Sequence, residues 1–286
     1  MRDISKRRLL RSEVVRSFYG YQALGQKDKL EPVDSTNEGY AKKQDEINPA
    51  RTRAFLNPML KRNNASIVLD VGCGIGAMVT ELLDLGYDAY GVDLIHVGRF
   101  WSSRNLDRDR FFYMNSRHTD LPFEDASFDF AYTLGVIEHV GTTNGHSDRA
   151  HDYHKIRRQW IHELFRVVRP GGHILIGGPN RGFPFDTAHG PDSRASNFEL
   201  TLSRITGVTI HKPWGENFLW SFSNLCRYLE GLPYQMEPIS VTNLLYFSRV
   251  PRIFRTLVRF YVKHIPKMLL GTCFNPWMLT LVHKEK

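Results

Sequence analysis

Three groups of residues in this 286-residue chain have the types and spacing that chemistry requires. The first is Gly72-Cys73-Gly74-Ile75-Gly76, which follows the apolar run Ile67-Val68-Leu69. Glycines at a strand-to-helix junction let the backbone turn sharply and let a ligand approach where a Cβ would collide. Asp70 stands just before this turn. Asp93 ends a second apolar run roughly 20 residues on, where an acidic side chain can accept both ribose hydroxyl hydrogens. The implied chemistry is nucleoside binding. The second group is Glu138-His139. Histidine titrates near neutral pH, so His139 is a candidate general base with Glu138 orienting it, although the same pair could simply close a strand end. The third group is cationic: Arg249, Arg252, Arg255, Arg259, Lys263 and Lys267 recur every three or four residues among apolar ones.

These groups need a scaffold, and the hydrophobic pattern supplies one. The segment SIVLDVG reads as a strand covered on both faces, because its apolar run has no polar alternation. A helix over 78–85 ended by Gly86, strands over 88–94, 111–115 and 128–134, a helix over 153–168 and a strand over 173–180 follow. Pro170-Gly171-Gly172 is expected to close the 153–168 helix. This alternation predicts an α/β class: a Rossmann-like, doubly wound, mostly parallel sheet with helices on both faces. Residues 1–48 read as an N-terminal helical cap with a break at Asn48-Pro49, and residues 49–286 as the ligand-binding domain. Within it, 181–220 reads as a lid or acceptor loop rather than a packed element. Its residues Asn180, Arg181, Phe183, Phe185, His189, Trp214 and Trp220 are pocket candidates. A helix over 221–229, a strand over 234–240, a basic amphipathic helix within 245–270 and a closing strand over 277–284 complete the chain.

Composition excludes several classes. With 42% hydrophobic and 24% charged residues the chain is not disordered as a whole. Cys73, Cys226 and Cys273 lie far apart, which argues against a disulfide framework or a zinc site. The absence of an apolar leader or a membrane-length apolar run leads us to expect a cytoplasmic protein that can rest on a membrane surface. The net charge of +8 gathers at Lys6, Arg7, Arg8, Arg11 and Arg16 and again from Arg249, so anionic partners are one reading and a solvated surface the other. Pro251 suits the start of the basic helix and Pro266 its interruption. Its apolar side either packs on the protein or lies on an anionic membrane. Nucleic acid ranks lower, since no RNA-binding module is recognisable.

The turn lacks the GxGxxG spacing of dinucleotide sites and no GK[ST] follows. The segments VLDVGCGIG, YGVDL, LPFEDASFDFAYTLGVIEHV and ELFRVVRPGGHILIGGPN instead resemble, in order and spacing, the class I S-adenosylmethionine-dependent methyltransferases of the quinone, lipid and small-metabolite type. The resemblance covers residues 50–180. It implies S-adenosylmethionine as cofactor, with Gly72, Gly74 and Gly76 forming the turn around its methionine portion and Asp70 supporting the ammonium. Asp93 would hold the ribose, Leu94 would flank the adenine, and Leu134 and Gly135 would lie near the methyl group. Arg117 and His118 occupy the place where the family has an Asp followed by a small residue, so the adenine-amine contact departs from the pattern. Gly135 also stands where metal-binding relatives carry a Glu. His146, His151, His154 and His162 lack metal-ligand spacing, and no metal is expected. The acceptor implied is a small or lipid-linked molecule methylated at oxygen. The rivals are an RNA methyltransferase and a non-catalytic cofactor-binding scaffold. The oligomeric state is not legible.

Overall fold

The computed structural model describes residues 35–94, 98–104, 106, 109–114, 120–142, 149–186, 191, 195–210, 219–244, 250 and 252–286. The basic residues of the N-terminus, Arg117, His118, His146, His189, Trp214 and Arg249 fall outside them. Helix α1 (Ser35–Arg51) runs through Pro49 without breaking. A π-helical turn over Thr52–Leu56 follows and continues into α2 (Asn57–Arg62). The expected break at Asn48-Pro49 is thus absent. A proline removes one helical hydrogen bond and disfavours a helix interior without forbidding it.

The main sheet follows the alternation read from the sequence. Strands β1 (Ile67–Val71), β2 (Asp88–Leu94), β3 (Phe111–Met114) and β4 (Phe128–Leu134) are separated by α3 (Ala77–Asp84) and α4 (Gly98–Ser103). Helix α5 (Tyr153–Val167) leads into β5 (Val168–Pro179). Later come β6 (Phe185–Asp186), α6 (Asn197–Thr206), β7 (Thr209–Ile210), α7 (Phe222–Leu229), β8 (Tyr234–Pro238), α8 (Arg252–Lys263) and β9 (Trp277–Lys284). The seven-stranded order is β3-β2-β1-β4-β5-β9-β8. β1 pairs in parallel with β2 and β4, and β2 with β3. The order turns back between β1 and β4, the switch point at which such sheets bind ligands. The Rossmann-like class expected from the sequence is the one observed.

Two compact units divide the chain. The first holds the described residues up to Thr133 with His162–Ile174 and His283–Lys286. Its core is the apolar runs of β1 to β4: Val68, Leu69, Val92, Phe128 and Phe130 are all fully buried. The second holds Leu134–Ile161 and Leu175–Val282, with Trp160, Trp220 and Tyr228 in its core.

A second expectation is corrected by the structure. Pro170-Gly171-Gly172 belongs to β5, not to a helix stop. A Cβ on Gly172 would stand 2.7 Å from the Asp129 carbonyl, so the glycine here permits close backbone approach. The stretch after Pro179, expected as a lid or loop rather than a packed element, carries regular structure: β6 and β7 pair as an antiparallel ribbon on either side of α6, which buries no residue. A capping box between Ser196 and Glu199 starts α6 and a left-handed Gly207 ends it. The sequence Ser196-Asn197-Phe198-Glu199 carried that signal.

Candidate functional site

In the first unit the site is built on the turn after β1. The Gly72 and Cys73 N–H groups both donate to the Val92 carbonyl, at 2.8 and 3.2 Å, which pins the turn to β2. Gly76 precedes the first residue of α3 with φ of +84°, and a Cβ there would meet Phe111 Cε1 at 2.7 Å. Conformation and crowding together require glycine. Asp93 does more than its sequence position suggested. Its Oδ2 accepts the Gly74 N–H at 2.6 Å and its Oδ1 accepts the Leu94 N–H at 2.6 Å, so one carboxylate ties the end of β2 to the turn.

Three contributors to this turn were not read from the sequence. Trp101 of α4 is fully buried, donates its indole N–H to the Gly74 carbonyl at 2.8 Å, and packs on Phe111 and Tyr113 at 5.3 and 5.1 Å. Tyr132 of β4 sits beside Asp70. Ala41 of α1 packs against the cluster of Ile75, Ala77 and Phe100, so the N-terminal helix borders the turn. No periodicity or spacing links these residues to the glycines; only the fold does.

Electrostatics distinguish Asp70. Burial pushes its pKa up to about 8 and the charge of Asp93 adds to the rise, while the Tyr132 hydroxyl opposes it by favouring the carboxylate. A buried carboxyl that holds its proton near neutrality is well prepared to ionise beside a cation. The same burial, with the charges of Asp93 and Asp70, pushes the Cys73 thiol well above its ordinary range and leaves it unreactive.

In the second unit, Leu134 ends β4 and Gly135 follows it, its N–H donating to the Gly177 carbonyl at 2.7 Å. Glu138 is fully buried. A Cβ on Gly135 would lie 3.7 Å from its Oε1, and one on Gly178 would lie 2.8 Å from its Oε2 and 2.5 Å from Trp220 Nε1. The carboxyl is therefore packed beside two glycines, and Gly178 also abuts Trp220. His139 is half-buried in the turn that follows, its N–H donating to the Val136 carbonyl at 2.9 Å. Arg157 of α5 fixes this turn. Its guanidinium is fully buried and donates to the carbonyls of Glu138, Val140 and Leu219 at 2.8, 3.0 and 3.4 Å. Burial lowers its pKa, opposed by Tyr228 and Glu138.

Several pocket candidates turn out to have structural roles. The Asn180 amide donates to the Thr272 and Asn275 carbonyls at 2.8 and 2.7 Å, and its oxygen accepts the Gly182 N–H at 2.9 Å. Trp220 is fully buried, and its carbonyl accepts the Arg181 N–H. His154 meets the Tyr228 hydroxyl at 2.7 Å, whereas the His151 side chain is 97% exposed. Among the described residues no group of three or more His, Cys, Asp or Glu is arranged to hold a metal ion.

Residues 69–176 match the model of a family described as a methyltransferase domain. Sterol 24-C-methyltransferase erg6 of Schizosaccharomyces pombe is 27% identical over 129 residues, 43% of this chain and 30% of that protein. Probable tRNA methyltransferase 9B of Mus musculus is 29% identical over 175 residues, 58% of this chain and 33% of that protein. The chain thus spans about a third of the length of these curated relatives. Among solved structures, phosphoethanolamine N-methyltransferase 2 of Haemonchus contortus is similar at 16% identity, covering 80% of this chain and 52% of that one, with a TM-score of 0.45. The strand order, the glycine turn between Asp70 and Asp93 and the family match agree: residues 69–176 belong to the class I S-adenosylmethionine-dependent methyltransferases.

Proposed function

We propose that this chain is an enzyme that binds S-adenosylmethionine at the turn after β1 and methylates a hydroxyl of a small, lipid-like or saccharide-lipid acceptor. The observation that carries the reading is the buried, proton-holding Asp70 next to a glycine turn fastened by Asp93.

The residues suit that cofactor. A carboxylate can accept about four hydrogen bonds, so Asp93 can serve the two backbone N–H groups and ribose hydroxyls together. An ammonium near Asp70 favours its ionised form and relieves the cost of burying it. Gly72 and Gly74 leave the backbone open to close approach. When bound, S-adenosylmethionine supplies an electrophilic methyl group on a sulfonium. The protein's part is to align acceptor oxygen, methyl and sulfur, and such positioning lowers a barrier by several kcal/mol. His139 is the proposed base that takes the hydroxyl proton on an imidazole nitrogen. Glu138 and Arg157 are proposed to position it by holding the turn on which it stands.

Relatives named for carbon, oxygen and tRNA methylation leave the acceptor class open to a second reading, an RNA methyltransferase. A third is a scaffold that binds the cofactor without turnover. Calorimetric titration with S-adenosylmethionine and S-adenosylhomocysteine tests the cofactor reading. We expect micromolar binding, and Asp93→Ala should weaken it by about 1–3 kcal/mol, the cost of leaving buried hydroxyl donors unpaired. Unchanged affinity would show that the ribose is held elsewhere. Transfer of labelled methyl groups to lipid extracts and to RNA then separates the acceptor readings. With a hydroxyl acceptor, His139→Ala should cut turnover by about 10²–10⁴ and leave cofactor affinity unchanged. Full turnover in that variant would remove His139 as the base. Cofactor binding with no transfer to either pool would favour the scaffold.

A further inference from the structure

Helix α8 does not bury the apolar side that its sequence provides. Ile253, Leu257 and Phe260 are 82%, 65% and 62% exposed, and Phe254 and Tyr261 are exposed beside them. At about 100° per residue these five fall on one side of the helix. The helix is seated instead along Val258 and Val262, of which Val262 is buried. Arg252, Arg259 and Lys263 occupy the flank next to the apolar row. The surface continues past the helix. The Tyr261 hydroxyl donates to the Phe274 carbonyl, which fastens the helix to the segment carrying half-exposed Phe274, and Met268 on the intervening turn is 83% exposed.

Charge identifies what such a surface would meet. Between Pro238 and Glu285 the sequence contains seven Lys or Arg residues and no Asp or Glu. Exposed aliphatic and aromatic side chains flanked by cations complement a layer with anionic headgroups over hydrocarbon. The exposed rings of Phe254, Phe260 and Phe274 alternate with Ile253, Leu257 and Met268, aliphatic side chains that offer a base no stacking face and suit hydrocarbon better than a nucleic-acid strand. A seat with one buried valine also leaves the apolar row outward in the folded chain, which the alternative of internal packing does not.

We infer that α8, with Met268 and Phe274, is an interfacial docking surface by which the folded protein lies on an anionic membrane. The apolar row enters the headgroup boundary to a depth of about 5–10 Å, and the flanking cations remain at the level of the phosphates. Docking of this kind does not depend on which acceptor takes the methyl group.

Co-sedimentation of the full chain with vesicles tests this, using phosphatidylcholine alone and phosphatidylcholine mixed with phosphatidylglycerol. Binding to the mixed vesicles should exceed binding to the neutral ones by at least about tenfold, since each cation near an anionic surface contributes roughly fivefold. Leu257→Ser with Phe260→Ser should lower partitioning on mixed vesicles by at least about tenfold through lost apolar burial. Arg252→Glu with Lys263→Glu should lower it as much through lost attraction. Thermal unfolding of both variants should match the parent, because all four side chains are exposed. Absence of binding by the parent, equal binding to both vesicle types, or parent-like binding by both variants would overturn the inference. So would a concentration-dependent dimer in sedimentation velocity that the Leu257→Ser, Phe260→Ser variant abolishes without any vesicle binding, which would assign the surface to a second copy. Vesicle binding reads docking alone, so its failure is separate from a failure of methyl transfer.

Discussion

The turn after β1 and the turn after β4 hold chemically important residues in opposite ways. The first is short-range: Asp93 reaches Gly74 across 19 positions, and the Val92 carbonyl receives two N–H groups of the turn. The second is held by groups scattered along the chain. Arg157 clamps the Glu138 and Val140 carbonyls and that of Leu219, 62 residues away, while Gly178 admits the Glu138 carboxyl and Trp220. A loop fixed by its neighbouring strand announces itself in spacing. A loop fixed by a buried cation from a helix does not, because the same arginine would look ordinary on an exposed face.

The largest expected effect breaks the second arrangement. Arg157→Leu leaves three carbonyls without their donor in a dry interior and should cost about 3–5 kcal/mol in denaturant unfolding. A loss below about 1 kcal/mol would mean that water or a neighbour replaces the guanidinium, and the contrast between the turns would shrink. An intermediate effect sharpens the first arrangement. Gly76→Ala meets both a left-handed backbone and the Phe111 ring, and should cost about 2–3 kcal/mol. Gly86→Ala, at φ +88° with nothing within 4 Å of the added Cβ, should cost only about 1 kcal/mol. Equal losses would show that crowding against β3 contributes nothing.

The smallest effect is a slope with pH. The folded chain keeps the Asp70 proton up to about pH 8, whereas the unfolded chain releases it near pH 4. Stability therefore falls as pH rises through that window, by at most about 1.4 kcal/mol per pH unit. Burial, with the charges of His283 and Arg169, pushes His173 down to about 4, and this tilts stability the other way only below about pH 6.5. Unfolding measured between pH 6.5 and 7.5 should thus show a falling trend that Asp70→Asn flattens. A trend unchanged in the variant would place Asp70 in a wetter site than its burial implies.

Much of the first unit was legible because parallel strands covered on both faces write continuous apolar runs. β2 and β4 begin and end where those runs do. Asp70, the glycines and Asp93 were legible through junction chemistry that depends on local order. The ribbon and helix of residues 185–210 were missed because Gly, Pro, Asn and Asp outweighed one capping box. α1 was expected to break because Pro49 was weighed as a stop, whereas the helix runs through it. Trp101, Tyr132 and Arg157 act through contacts that no local window contains.

The sequence by itself determined the strands of the main sheet, the ligand turn and the amphipathic character of α8, since each follows from residue types at fixed short spacings. Tertiary structure alone decided how far Asp70 is desolvated, what clamps the Glu138-His139 turn, and which side of α8 faces outward. Those outcomes depend on burial, and burial is a property of segments brought together from distant parts of the chain.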